Sequence, residues 1–355
     1  MLRAALIGLG KMGVSHLAIL RAHPEVDVVA VCDASSYVLE VLKKYTGLKG
    51  YTDYRELLER EKPDAVLIAT PSRFHAQIVK AALERDLHVY CEKPFCLDVA
   101  EGSRLAQLAE RKRLVNQVGY HYRFVAAFRE MKRLIDLGVL GQIHHLRAEA
   151  YGPVVLRPSG STWRASGAEG GGCLYDYACH AIDLVHYLFG RPDAVAGSVL
   201  NRVLSRQVED EVYSTLFYAD GKTGQLAANW SDESHRKMSV KLSVWASNGR
   251  MCADRQEIQV YLRQPAPQAP ELASGWNVRY TTQLTPPVWF YLRGEEYSAQ
   301  IDHFVDCVRR RSPTLCPFSA AVDADLVAAM MRKDAQRTRL EAPPALRQSA
   351  LQAHP

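Results

Sequence analysis

Gly8-Leu9-Gly10-Lys11-Met12-Gly13 follows a strand-like run, Leu2 to Ile7, and precedes a helical stretch, a second strand from Val26 to Cys32, and Asp33. Each part answers a demand made by a bound dinucleotide. Gly8 permits the tight turn after the strand, Gly10 lets the backbone approach a pyrophosphate, and Gly13 lets the next helix pack close to the sheet. That helix aims unsatisfied N–H groups and the positive end of its dipole at the phosphates. Asp33 lies twenty residues after Gly13, at the end of the second strand, where a carboxylate can accept the hydroxyls of an adenosine ribose. A 2′-phosphate would be repelled there, and Ala34, Ser35 and Ser36 offer no Arg to receive one. A Gly-rich turn in an ordinary βα unit would not bring strand, glycines, helix, second strand and acid in this order. The stretch predicts a site for NAD, with NADP disfavoured.

Working outward, strands alternate with amphipathic helices up to about residue 120. Strands are expected at Ala4–Ile7, Val26–Cys32, Ala65–Thr70, His88–Cys91 and Val115–Val118. Helices are expected near Gly13–Ala22, Ser36–Tyr45, Tyr54–Glu59, Phe74–Arg85 and Ala100–Arg111, the last N-capped by Asp98. This is the pattern of a doubly wound parallel sheet. The second half differs. A helix near Ala126–Leu137 leads to a strand, His144–Tyr151, and another helix follows Gly170-Gly171-Gly172. Hairpin turns then stand at Asp220-Gly221 and Asn248-Gly249, each between β-patterned segments, which predicts a mostly antiparallel sheet with one open face. Gln264 to Pro270 reads as a surface connector, and Ser298–Arg310 and Ala320–Thr338 as closing helices. The expected division is an α/β chain with domains at residues 1–120 and 121–340 and a flexible tail at 341–355. No internal repeat is visible.

Composition narrows the class. A chain of 355 residues carries two domains and a substantial core. Its formal charge of +5 is mild, and apart from Arg309-Arg310-Arg311 the basic residues are scattered among acids, so no nucleic-acid partner is expected. No apolar run reaches the ~20 residues that span a bilayer, and no membrane partner is expected. The amino terminus enters a strand at once, so no signal peptide is expected. The eight cysteines form no C-x-x-C pair, and reduced thiols in a cytoplasm are the expectation.

Three segments carry chemistry. Ala69-Thr70-Pro71 ends a parallel strand, where ligands of open α/β sheets sit, with His75 opening the next helix as a cofactor contact or a packing residue. Glu92-Lys93-Pro94 follows the strand His88–Cys91. An ammonium there can bond a substrate hydroxyl and favour an alkoxide-like transition state, and Pro94 restricts Lys93 to an extended backbone. Taken alone, Lys93 also fits a solvated loop. The third segment runs from Gly170 to Asp183. On a helix, Asp176, His180 and Asp183 share a face, and a carboxylate beside an imidazole makes a proton-accepting pair. A metal set of Asp176, His180 and His186 is disfavoured because His186 falls on another side of the helix, so no metal is expected. A helix-terminal Asp176 and a core His180 are the blander reading. Met12 and Tyr120 are candidate walls of the pocket, and Trp163 and Arg164, in the loop 157–168, are candidates to reach over a sugar.

Together these motifs resemble the glucose–fructose oxidoreductase/inositol dehydrogenase (Gfo/Idh/MocA) family over nearly the full chain. The shared elements are the Gly-rich turn, Thr70-Pro71 with His75, Glu92-Lys93-Pro94, Gly119-Tyr120 with Arg123, and the run from Gly170 to His180. His121-Tyr122 departs from many relatives, which carry Asn or Arg there. The resemblance implies a Rossmann domain, a second domain whose open sheet forms a homodimer or homotetramer interface, and a Lys93–Pro94 bond that is often cis. It implies Lys93, Asp176 and His180 as the catalytic set, with His180 accepting the proton and Lys93 binding the reacting oxygen. The pocket would be completed by Tyr120, Arg123, Trp163 and Arg164. The expected activity is NAD-dependent oxidation of a secondary alcohol of a sugar, cyclitol or sugar derivative, a nucleotide sugar included. Two rivals share the fold: a glycosidase or lyase that oxidises its substrate transiently, and a dinucleotide-binding sensor.

Overall fold

The computed structural model describes residues 1–157 and 163–341. The expected tail at 341–355 therefore lies outside the described residues beyond Glu341, as does the middle of the loop 157–168. Contacts divide the chain into two compact units. The first comprises Met1–Glu130, Ala168–Gly170 and Arg279–Asp325, and the second the remainder.

The first unit contains β1 (Leu2–Ile7), α1 (Lys11–Ala22), β2 (Val26–Cys32), α2 (Ser36–Thr46), β3 (Lys49–Tyr51), α3 (Tyr54–Glu61), β4 (Ala65–Ile68), α4 (His75–Glu84), β5 (His88–Cys91), α5 (Val99–Arg111) and β6 (Asn116–Val118). Its six strands pair in parallel in the order β3-β2-β1-β4-β5-β6. Strand order reverses between β1 and β4, the place where such sheets open a crevice at their carboxyl ends. The central strands are apolar almost throughout because helices cover both faces: all of β4 is buried, and β1 is buried except at Arg3. Asp98 does cap α5, accepting the Glu101 N–H at 2.9 Å.

Further along lie α6 (Ala126–Asp136), β7 (Ile143–Tyr151), α7 (Cys179–Phe189), β8 (Ala194–Asn201), β9 (Glu211–Phe217), β10 (Thr223–Asn229), β11 (Ser239–Ala246), β12 (Gly249–Ala253), β13 (Glu257–Leu262), β14 (Gly275–Tyr280), α8 (Thr281–Leu284), α9 (Glu295–Arg310) and α10 (Phe318–Glu341). The eight-stranded sheet runs β14-β13-β12-β11-β7-β10-β9-β8. Only β7 and β10 are shown paired in parallel, while β8–β9, β9–β10, β7–β11, β11–β12 and β12–β13 are antiparallel. Alternation sets the two faces. Leu146, Ala148, Leu226, Ala228, Leu242 and Val244 are buried, with α7 packed on β7. The opposite face leaves Tyr213, Phe217, Tyr261 and Trp276 exposed.

One carboxylate organises the turn before β9. Asp210, fully buried, accepts from the backbone N–H groups of Val203 (2.7 Å), Leu204 (2.8 Å) and Ser205 (2.8 Å). It also accepts from the Ser205 hydroxyl (2.6 Å) and the Trp230 indole N–H (2.6 Å). Trp230 is the largest of the fully buried side chains.

One expectation is corrected. Glu295–Arg310 falls within the span expected for the second domain, yet α9 packs on the first sheet, with Tyr297, Ile301, Phe304 and Val305 in one apolar cluster with Leu2, Leu6, Leu17 and Val31. On that face α9 packs beside α1, whose Leu17, Ile19 and Leu20 belong to the same cluster. The 264–270 connector lies at the surface as expected, with only Ala266 and Ala269 turned inward. Among the described residues no helix is long and apolar enough to cross a membrane. All eight cysteines are buried, and none forms a disulfide.

Candidate functional site

In the first unit, the residues named from sequence gather at the carboxyl ends of β1, β2, β4 and β5. Gly8 has φ +98°, and a Cβ on it would come within 2.6 Å of the Ala69 carbonyl group, so the turn and the Ala69-Thr70-Pro71 loop touch backbone to backbone. A Cβ on Gly13 would sit 1.9 Å from the Gly8 carbonyl oxygen. A Cβ on Gly10 would meet nothing within 4 Å, so the space above that residue is open. Gly10 is also the N-cap of α1 and provides no side-chain cap, which leaves the first-turn N–H groups of Lys11 and Met12 available to an anion. Asp33 accepts the Leu9 N–H at 2.6 Å through one carboxylate oxygen and the Ser35 N–H at 2.9 Å through the other. Each oxygen keeps a lone pair for a ribose hydroxyl. The Thr70 hydroxyl is buried with no protein partner at the same strand ends. Open glycine, uncapped helix, bound acid and orphan hydroxyl all fit a dinucleotide.

Lys93 follows β5 on the same edge of the sheet and is half-buried, and the Lys93–Pro94 bond is cis. Its neighbour Glu92 is buried and meets His16 Nε2 at 2.6 Å. Burial alone would raise the Glu92 pKa, but the His16 bond and the nearby Lys93 charge outweigh it and hold the carboxyl below its ordinary range. His75 is fully buried, its Nδ1 lying 2.8 Å from the Pro94 carbonyl and its Nε2 2.9 Å from the Thr70 carbonyl. Burial pushes its pKa down. Both ring nitrogens face carbonyls of the protein itself. Cys32, beside Asp33, is pushed up to about 12 by burial and by the Asp33 and Asp53 charges, and is inert as a nucleophile.

Tyr120 and Arg123 were expected to meet substrate. Tyr120 is fully buried, and Arg123, 3 % exposed, donates to the Leu315 carbonyl at 2.6 Å. The turn at His121–Phe124 packs against α9, with His121 stacked on Tyr297 at 4.6 Å, and this draws both side chains into the interior. A groove of about 540 Å³ lined by Pro63, Asp64, Arg85 and His88 lies at the amino ends of β4 and β5 and has no part in this constellation.

In the second unit, Leu174–Ala178 is a turn of π-helix that runs straight into α7. Such widened turns recur where a helix carries functional side chains. Asp176 (7 % exposed), His180 (3 %) and Asp183 (0 %) are all drawn inward. Trp163 and Arg164 are tied to this helix: Arg164 Nε donates to Asp176 Oδ2 at 3.0 Å, with its guanidinium 4.6 Å over the Trp163 ring. Arg164 is thus engaged with the acid, while its side chain stays part-exposed.

Sequence reasoning missed the groups that brace these segments. Glu209 is buried and accepts the Leu174 N–H at 3.0 Å, and a Cβ on Gly172 would lie 2.3 Å from its carboxylate oxygen. Burial raises its pKa. The signal was present as two adjacent acids, Glu209-Asp210, leading into an apolar strand. His16 likewise lies on the buried face of α1, three residues after Gly13.

Comparison with known proteins follows the same division. The "Oxidoreductase family, NAD-binding Rossmann fold" model matches residues 2–120, and the "GFO/IDH/MocA C-terminal domain" model matches residues 128–252. The myo-inositol 2-dehydrogenase of Thermotoga maritima is 28 % identical over 262 residues, 71 % of this chain and 75 % of that protein. The D-glucoside 3-dehydrogenase of Escherichia coli is 30 % identical over 193 residues, 54 % of this chain and 55 % of that protein. A solved levoglucosan dehydrogenase in complex with NADH superposes with a TM-score of 0.84 at 23 % identity, covering 95 % of this chain and 97 % of that one. This last likeness bears on the fold. The chain belongs to the GFO/IDH/MocA oxidoreductase family, and its first 120 residues contain an NAD-binding Rossmann domain.

Proposed function

We propose that this member of the family oxidises a secondary alcohol of a sugar, cyclitol or sugar derivative, with Lys93, Asp176 and His180 as its catalytic set. The observation that carries the reading is the place of Lys93, at the carboxyl end of β5 on the edge that also holds the Gly8–Gly13 turn. The relatives named above as inositol and glucoside dehydrogenases support a polyol or sugar as substrate.

When bound, NAD supplies the ring that accepts the carbinol hydride. The chain supplies the rest. The Lys93 ammonium binds the reacting oxygen and stabilises charge building on it. An imidazole nitrogen of His180 takes the hydroxyl proton, while Asp176 supports the charged ring. Arg164 holds the Asp176 carboxylate through its Nε–H. Trp163, stacked under Arg164, adds a flat apolar surface beside the acid.

The direct test mixes the purified protein and NAD with myo-inositol, D-glucose, methyl β-D-glucoside and levoglucosan and follows NADH absorbance. Formation of NADH with at least one is expected. No turnover with a wide polyol panel, together with no binding of NAD, would sink the reading.

Cofactor choice rests on Asp33. Asp33→Ser with Ala34→Arg removes the repulsion and adds a charge-assisted bond for a 2′-phosphate, worth about 1.5–3 kcal/mol. The ratio of kcat/KM for NADP over NAD is expected to rise at least about tenfold. An unchanged ratio means that Asp33 does not meet the ribose.

A further inference from the structure

Two buried histidines that the proposed reaction does not use grip the lysine loop from both sides. His16 sits one turn into α1, the helix that opens at the Gly10–Gly13 turn, and meets Glu92 Oε1 at 2.6 Å. The other Glu92 oxygen accepts the Lys93 N–H at 3.3 Å. His75 opens α4 and lies between the Pro94 carbonyl (2.8 Å) and the Thr70 carbonyl (2.9 Å). The residues before and after Lys93 are thereby each held by an imidazole, and both imidazoles are fully buried. Each imidazole also connects that loop to an element of the nucleotide cradle, α1 on one side and the Thr70 loop on the other.

We infer that His16 and His75 are positioning residues for Lys93, coupling the seating of the dinucleotide to the orientation of the lysine. The inference builds on the proposed role of Lys93. The chemistry fits a coupling device better than passive filling. Burial keeps His75 neutral, so its ring carries one N–H for two carbonyl acceptors. A displacement of the Thr70 carbonyl by bound cofactor changes which acceptor the ring serves, and Pro94 feels the change. An apolar side chain of equal size would fill the space, strand both carbonyls and transmit nothing.

The test reads Lys93 directly. Lysines of the cofactor-free protein are reductively methylated with ¹³C-formaldehyde, and Lys93→Arg identifies the Lys93 signal by its loss. Titration with NAD is expected to shift that signal in the parent. In His75→Phe, NAD should bind within about threefold of the parent affinity while the Lys93 shift falls at least about threefold, the loss of coupling appearing without loss of binding. His75→Gln, whose amide carries two N–H donors, should restore the shift. If His75→Phe does not fold, His75→Asn, too short to span both carbonyls, takes its place under the same criteria. His16→Phe should behave like His75→Phe.

A Lys93 shift in His75→Phe equal to the parent's overturns the inference. So does a variant in which NAD affinity and the Lys93 response fall together with no rescue by Gln, since that marks a structural role alone. The role of Lys93 fails separately. A Lys93→Ala enzyme with normal turnover removes Lys93 from catalysis whatever the NMR shows.

Discussion

Lys93→Ala and His180→Ala should each lower turnover by about 10²–10⁴-fold, the range set by losing a positioned proton-transfer group or an oxyanion partner. NAD affinity should change little in either, because the open cradle above Gly10, the α1 terminus and Asp33 are untouched. The signature is therefore a collapse of kcat at nearly constant cofactor binding. The double variant should be far less impaired than the product of the two losses, because both groups are proposed to act on one oxygen. Initial rates of NADH formation with the best substrate of the panel, beside fluorescence titration with NAD, provide the check. Turnover within about tenfold of the parent in either single variant removes that residue from the catalytic set.

Asp210→Ala should be the most damaging single change to stability. The carboxylate accepts five hydrogen bonds, three of them from buried donors: the Ser205 N–H, the Ser205 hydroxyl and the Trp230 indole. Val203 is exposed, so its N–H can turn to water. Stranding the buried donors costs about 1–3 kcal/mol each, and a loss of roughly 3–5 kcal/mol is expected overall. Urea unfolding measures it, and a loss below about 1 kcal/mol would falsify the role.

The same residue gives a pH dependence. Burial pushes the Asp210 pKa up, but the Ser205 hydroxyl, the Trp230 indole and the backbone N–H groups of Ser205 and Val203 outweigh it and leave it below the usual range. A depressed folded value means stability that is fully present above the unfolded pKa of about 3.9 and is lost as pH falls through the folded value. The stability difference between the parent and Asp210→Asn, which cannot titrate there, should therefore shrink in acid below about pH 4.

The parallel half of the fold was legible because its signals are local. β2 and β5 fall where sequence expects them to the residue, at Val26–Cys32 and His88–Cys91, since a strand buried on both faces reads as a bounded apolar run. β3 escaped because it is only Lys49–Tyr51 at the sheet edge. β8 escaped because Ala196 to Val199 breaks its register around a Gly and blurs the alternation. β14 alternates Trp276, Val278 and Tyr280 with polar residues, yet all three apolar side chains lie exposed. At the site, residue types at motif spacing were readable: glycines, Asp33, Lys93, and the pair Asp176 and His180. Partners were not. That Arg164 turns to Asp176, that His75 faces two carbonyls, and that Glu209 props Leu174 are all set by how loops and turns 5 to 35 residues apart fold onto one another, which no periodic pattern encodes.

The late helix α9 also sets a clock. The six-stranded sheet is assembled from residues that end at Val118, yet the helix that completes the apolar cluster on one of its faces begins at Glu295. At ribosomal rates of about 5–20 residues per second, the nascent sheet waits on the order of 9–35 s with that apolar cluster incomplete. During that interval Leu2, Leu6, Leu17 and Val31 have no Phe304 or Ile301 against them. The nucleotide unit is thus the first to begin forming and among the last to be finished, and the wait is a window in which a chaperone or an aggregate competes for the same surface.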